Sequence, residues 1–258
     1  MKNYVLSIAN QKGGVGKTTT VLNLSAALAV LGKKVLIIDM DPQSNCSTGL
    51  GFHSNSKDIF SIYDVLTSKR DINNAIYETV VPNLSIIPAN MNLAALEVEL
   101  VNEPEREKIL SMMLSYIKQD FDYIIIDCAP SLGLLTVNAL TSADSVFVPM
   151  QCEYFSLEGL VHLMNTIKQI QANYNSKLSI RGILLTMYDS RNRVSTLVER
   201  EVREHYSNLV YKTTIPRNIT LSESTSHGYP TIIYDVKAKG SQAYISLAAE
   251  FLTQSKNT

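Results

Sequence analysis

The sequence predicts an α/β fold, a doubly wound and mostly parallel sheet flanked on both faces by helices. Three observations predict it. Short apolar runs of strand length alternate with longer segments of helical spacing, the pattern of a parallel sheet whose crossovers cover both faces. A glycine-rich loop, Lys12-Gly13-Gly14-Val15-Gly16-Lys17-Thr18-Thr19, joins the first apolar run to the first helical segment. Two later runs end in aspartates, at Asp39-Met40-Asp41 and at Asp127. Sheets of this class hold their ligands at the carboxyl ends of the strands.

Taken in order, strands are expected at Val5–Ala9, Val35–Ile38, Leu84–Ile87, Tyr123–Ile126, Ser145–Val148 and Gly182–Thr186. Helices are expected at Lys17–Leu31, Glu105–Lys118, Leu134–Leu140, Leu157–Gln171, Val194–Tyr206 and Ser241–Leu252. The first helix should stop at Gly32, a residue suited to a left-handed cap. No internal repeat, low-complexity tract or Pro/Gly/Ser linker breaks the pattern. One domain is therefore expected over residues 1–254, with 255–258 a polar tail.

Strand, glycine loop and helix in this order form a phosphate-binding loop. Glycines let the backbone approach a polyphosphate and aim successive N–H groups at it, while the new helix presents its positive end. Lys17 adds a point charge and Thr18 a hydroxyl for Mg²⁺. The cofactors expected are ATP and Mg²⁺. The competing reading is a flexible Gly-rich turn with surface lysines, and it leaves the flanking strand and helix without a purpose. The match to G-x-x-x-x-G-K-[ST] is incomplete, because Gln11 stands at the first glycine and a second lysine, Lys12, precedes the glycines.

That departure is informative. KGGVGKTT resembles the deviant Walker A box of the ParA/MinD class of ATPases. The resemblance implies that Lys12 reaches across a nucleotide-sandwich dimer to the partner's phosphates, stabilising charge much as an arginine finger does. Residues 12–19 are then the nucleotide-binding set, Lys12 and Lys17 being also catalytic.

Val35-Leu36-Ile37-Ile38-Asp39-Met40-Asp41-Pro42-Gln43 is an apolar strand ending in two acids. These could be plain turn residues before Pro42. The segment also resembles the D-x-D-P-Q box of the same class, which implies that Asp41 orients the attacking water and Asp39 sits nearer the metal. Asp127 closes Tyr123–Ile126 in the manner of a Walker B acid, holding the hydration shell of Mg²⁺ while Thr18 binds the metal directly. The alternative is an ordinary strand-terminal Asp capping the next helix.

In the last third, Leu185-Thr186-Met187-Tyr188-Asp189-Ser190-Arg191 and Ile215-Pro216-Arg217-Asn218-Ile219-Thr220 resemble the chromosomal ParA/Soj partition ATPases. The resemblance runs from about Val5 to Leu252. It implies adenine contacts from Pro216 and Asn218, with Met187 a further candidate. It also implies an ATP-dependent homodimer, non-specific binding to double-stranded DNA, and a ParB-like centromere-binding partner. The basic residues that would meet DNA phosphates are Arg191, Arg193, Arg217, Lys237 and Lys239, each of which could equally be a solvated surface charge. Relatives often carry a basic residue where this chain has Thr220, which implies a weaker or shifted DNA face.

Bulk composition narrows the choice. The 258 residues are 45% hydrophobic, enough for a sizeable core. Formal net charge is −1, with Lys+Arg against Asp+Glu running 13 to 17 over residues 1–180 and 10 to 7 over 181–258. Any DNA contact must therefore come from a local basic face. No apolar run approaches the ~20 residues of a membrane span, and no leader is evident, so a cytoplasmic, nucleoid-associated protein is expected. Longer plasmid-borne members of the class carry a DNA-binding domain ahead of the loop, and the resemblance implies that no operator binding through such a domain is expected here.

Two rival functions share the ATPase core. A MinD-like membrane switch should end in a basic amphipathic helix; Ser241–Leu252 is nearly uncharged, so no stable membrane anchor is expected. A metabolic or metal-cluster ATPase should carry paired cysteines. Cys46, Cys128 and Cys152 are scattered and read as reduced thiols, although Cys128 beside Asp127 is where a shared iron–sulfur cluster would be sought.

Overall fold

The computed structural model describes residues 3–53, 59–154 and 156–254. The expected tail at 255–258 lies outside the described residues. Seven strands form one sheet in the order β3-β4-β2-β5-β1-β6-β7. They are β1 (Tyr4–Ile8), β2 (Val35–Met40), β3 (Tyr77–Glu78), β4 (Leu84–Ile87), β5 (Tyr123–Cys128), β6 (Ser145–Gln151) and β7 (Ser179–Thr186). All pairings are parallel except the short edge strand β3 against β4.

The central strands are buried along their length because alternate side chains feed two separate cores. In β2, Leu36 and Ile38 join one cluster and Val35 and Ile37 the other, as the two-residue repeat of a strand dictates. The second cluster is covered by α1 (Lys17–Val30) and, at the far end of the chain, by the helix Lys239–Gln254. α1 is buried nearly all round, which is why its sequence is apolar without a clear polar face. It ends as expected, with Gly32 at φ 81° and the Gly32 and Lys33 N–H groups returning to the carbonyls of Ala29 and Leu28.

The remaining helices are α2 (Asn45–Thr48), α3 (Ile62–Leu66), α4 (Leu96–Glu99), α5 (Ile109–Leu114), α6 (Leu134–Ser142), α7 (Ser156–Asn173), α8 (Arg193–His205), α9 (Thr220–Ser226), α10 (Thr231–Tyr234) and α11 (Lys239–Gln254). The helix expected at Glu105–Lys118 is shorter, confined to α5. Glu105 has φ 57° and cannot lie in a right-handed turn. Asn138 of α6 takes the Leu110 N–H and donates to the Arg106 carbonyl, fixing the entry by a tertiary contact.

β7 starts three residues earlier than expected. Gly182 inside it is required by packing, since a Cβ there would stand 2.4 Å from the ring of Tyr211. Through α11, Tyr244, Leu247 and Phe251 enter the core, each contributing about 1.5–3 kcal/mol of apolar burial.

Candidate functional site

The carboxyl ends of β1, β2 and β5 meet at one place. β1 leads into the glycine loop, where Gly14 (φ 73°) and Gly16 (φ 85°) adopt the left-handed conformation that side chains resist. Asn10 pins the loop's start, accepting the Lys12 N–H at 3.0 Å and donating to the Pro149 carbonyl at 2.7 Å. Thr186 pins its middle by donating to the Val15 carbonyl at 2.8 Å. Gly16 caps α1 without any side-chain hydrogen bond, so the first-turn N–H groups remain open to an anion.

Both lysines are engaged by protein acceptors. Lys17 is buried and its ammonium donates to the Lys12 carbonyl at 3.1 Å. Burial pushes its pKa below the ordinary value, opposed by the charges of Asp127, Cys128 and Asp41. Lys12 reaches the opposite way and pairs with Glu153 at 2.5 Å in a half-exposed ion pair. Glu153 carried no motif in the sequence and is joined to Lys12 only by the fold.

The three acids separate by role. Asp127 is 1% exposed, and neither carboxylate oxygen has a hydrogen-bond partner of ordinary geometry among the described residues. Burial, followed by the charge of Asp39 opposite it in the β2–β5 register, raises its pKa well above the usual carboxylate range, while Thr18 and Lys17 oppose the rise. An orphaned buried carboxylate beside a hydroxyl and an ammonium is a fit for a divalent cation, which supplies the missing partner.

Asp39 is fully buried and committed. Its Oδ2 accepts from the Ser47 N–H at 2.9 Å and the Ser47 hydroxyl at 2.6 Å, and its Oδ1 from the Asp41 N–H at 3.1 Å. Burial lifts its pKa to about 6 against these hydrogen bonds. Its oxygens thus fasten the loop that carries Asp41, a role that its place beside Asp41 in the chain did not disclose. Asp41 itself accepts the Gln43 N–H at 2.9 Å through one oxygen.

Beyond the helix start lies a cavity of about 180 Å³ whose walls include Gly16, Thr19, Met187, Pro216, Asn218 and Tyr244. All three residues expected to meet adenine, Met187, Pro216 and Asn218, line it. Their loops are joined by a bridge between Tyr188 and Pro216. Asn218 Oδ1 is buried with no hydrogen-bond partner among the described residues, an acceptor suited to an amino group. Tyr244 was not foreseen. It comes from α11 and bonds Thr20 of α1 at 3.0 Å, a contact across 224 residues that local sequence cannot announce.

An AAA domain model matches residues 3–180. The sporulation initiation inhibitor protein Soj of Bacillus subtilis is 50% identical over 95% of this chain and 97% of its own length. The chromosome partitioning protein ParA of Caulobacter vibrioides is 48% identical over 98% and 95%. The chain belongs to the Soj/ParA family of chromosome-partitioning ATPases. Its fold is also that of the cobyrinic acid a,c-diamide synthase of Mycobacterium smegmatis, solved with an ATP analogue and magnesium. That structure has a TM-score of 0.85 and 38% identity, over 98% of this chain and 96% of that one.

The five basic residues expected to meet DNA lie at the surface of this Soj/ParA chain. Arg191, Arg193, Arg217, Lys237 and Lys239 are all exposed. Arg191 is tied to Asp189 two residues back at 2.8 Å. Arg217 lines the rim of the cavity beside Asn218, and Gly240, next to Lys239, packs on Leu221 and Asn218. Arg217 therefore borders that cavity. Cys46, Cys128 and Cys152 are free and buried, and burial pushes the Cys128 thiol far above its ordinary pKa, the state of an inert thiol. No described helix is long and apolar enough to cross a membrane.

Proposed function

We propose that this chain is a Mg²⁺-dependent ATP hydrolase that closes on ATP as a sandwich homodimer. In that state it binds double-stranded DNA without sequence preference, and a ParB-like centromere-binding partner stimulates it during segregation of a chromosome or plasmid. Its place is the cytoplasm, on the nucleoid. The observation that carries the reading is the orphaned carboxylate of Asp127 beside Thr18 and Lys17, at the mouth of an open helix N-terminus.

The glycine loop and Lys17 hold the phosphates. Lys17 spends one of its three N–H donors on the Lys12 carbonyl and keeps the others for the phosphates. Thr18 and Asp127 would hold Mg²⁺, which when bound neutralises charge on the β- and γ-phosphates. Asp39 fixes the backbone of Asp41, leaving one Asp41 oxygen for the attacking water, in line with the γ-phosphate. Lys12 is free to act in trans because its pairing with Glu153 is a surface ion pair of about 0–1 kcal/mol, easily exchanged for a partner's phosphates. Turnover without the partner is slow, as suits a timing switch.

A membrane-switch reading is disfavoured by α11, whose apolar face is spent on α1 and the sheet. The test is binding of the Asp41→Ala variant to random-sequence duplex DNA, with ATP and with ADP, across a salt series. Tight ATP-dependent binding should fall with salt, with a log–log slope of about −0.9 for each phosphate neutralised. A dimer that binds no DNA in either state would refute the partition reading.

A further inference from the structure

The helix that follows Asp127 begins without a cap of its own. α6 has Gly133 at its N-cap position and no acid in its first turn. Such a start leaves N–H groups open at the positive end of the helix. Glu97 of α4 closes one of them, its Oε1 accepting the Leu134 N–H at 2.6 Å across 37 residues. A carboxylate from a different element thus takes the place of a capping side chain.

Gly133 is matched to this contact. Its φ of −79° and ψ of −173° are extended backbone open to any residue, so conformation does not require glycine there. Space does. A Cβ on Gly133 would overlap the Glu97 carboxylate, and the atoms nearest to it all belong to Glu97.

The bond fastens a loop that starts at the chemistry. Residues 128–133 leave β5 after Asp127 and enter α6 at Leu134. Pro130, Ser131 and Leu132 are exposed, and with Ala129 they share a narrow crevice with Asn10 and Gln11, at the start of the glycine loop. Two bonds hold the far end of this loop, that of Glu97 and one from the Thr136 hydroxyl to the Ser131 carbonyl at 2.6 Å. Thr136 belongs to α6 and moves with it, whereas Glu97 ties the loop's end to α4. That support is firm. Leu93, Leu96 and Leu100 are buried at and around α4, and Glu99 accepts the Tyr63 hydroxyl of α3 at 2.8 Å.

We propose that Glu97 is a positioning residue for ATP hydrolysis, fixing the loop that leaves Asp127, and that Gly133 is the gap that admits its carboxylate. Glu97 acts through the loop and not on the reacting atoms. This rests on the proposed hydrolysis at Asp41 and Asp127. The experiment compares the unaltered chain with Glu97→Ala, Glu97→Gln, Gly133→Ala and Glu97→Ala/Gly133→Ala. Phosphate release against ATP concentration and ATP-dependent dimer mass are read for each, with amide hydrogen exchange over residues 129–137 in the nucleotide-free protein.

Glu97→Ala should lower kcat several-fold, to about tenfold, the worth of one charge-assisted hydrogen bond. KM for ATP and the dimer should stay as they are, because the glycine loop is untouched. Glu97→Gln keeps an acceptor oxygen and should recover most of the rate. Gly133→Ala displaces an intact Glu97 and should match Glu97→Ala, and the double variant should be no slower than either, since all three remove one contact. Exchange at Leu134 should quicken in those three variants and stay slow in Glu97→Gln. The single variants break the contact from opposite sides, so a folding defect in one leaves the other to decide. Faster exchange at Leu134 with unchanged kcat would make the contact structural only, overturning the role while the ATPase reading stands. Additive losses in the double variant, or loss of the dimer in Glu97→Ala, would overturn it as well. An unaltered chain that releases no phosphate would sink the ATPase reading and this role together.

Discussion

Replacing Asp127 by asparagine should stabilise the nucleotide-free protein while blunting its response to magnesium. Asp127 is buried, faces Asp39 across the β2–β5 ladder, and has no hydrogen bond of ordinary geometry to either oxygen among the described residues. An unpaired buried charge costs several kcal/mol, whereas an unsatisfied buried amide costs about 1–3 kcal/mol. The variant should therefore gain on the order of 2 kcal/mol, or about 4–8 °C in Tm for a chain of this size.

The gain depends on pH. The folded-state pKa of Asp127 lies above the ordinary carboxylate value, so the folded state holds the proton more tightly than the unfolded chain. Native stability then falls as pH rises from about 3.9 through the folded pKa. The advantage of asparagine is full above that pKa and closes on acidification, when Asp127 is neutral. The assay is thermal melting in EDTA from pH 5 to 8.5, repeated with Mg–ADP, where the unaltered chain gains by mass action and the variant gains less. A variant that melts lower at pH 8, or a difference that ignores pH, would refute the account of Asp127.

Four further outcomes are expected. Lys17→Ala should lose nucleotide binding by titration calorimetry, and micromolar ATP affinity in that variant would contradict its place on the phosphates. Asp41→Ala should bind ATP and accumulate as a dimer without releasing phosphate; normal turnover would remove Asp41 from the mechanism. Lys12→Ala should still bind nucleotide but form no ATP-dependent dimer by light scattering, and an unchanged dimer would defeat the trans role. Tyr244→Phe deletes a buried hydrogen bond to Thr20 worth about 0.5–1.5 kcal/mol, lowering Tm by about 1–6 °C; an unmoved Tm would show that bond to be idle.

The sequence by itself determined the architecture and the phosphate chemistry, because both are written in contiguous residues. Apolar runs named six strands, the glycine loop named itself, and Asp39, Asp41 and Asp127 stood at strand ends. The edge strand β3 and helices such as α2 and α10 stayed hidden, since two to four residues are too few to carry a period. What only the tertiary structure decided is how those parts divide their labour. It gave Asp39 to Ser47 and the Asp41 backbone and left Asp127 without a well-formed hydrogen bond among the described residues. It joined Lys12 to Glu153 across 141 residues and brought Tyr244 from the last helix to the cavity beside the glycine loop. Local pattern records which face of an element is apolar; which distant polar group completes a buried one is settled only when the sheet and its two helical layers close, because burial is what makes an unpaired polar group costly.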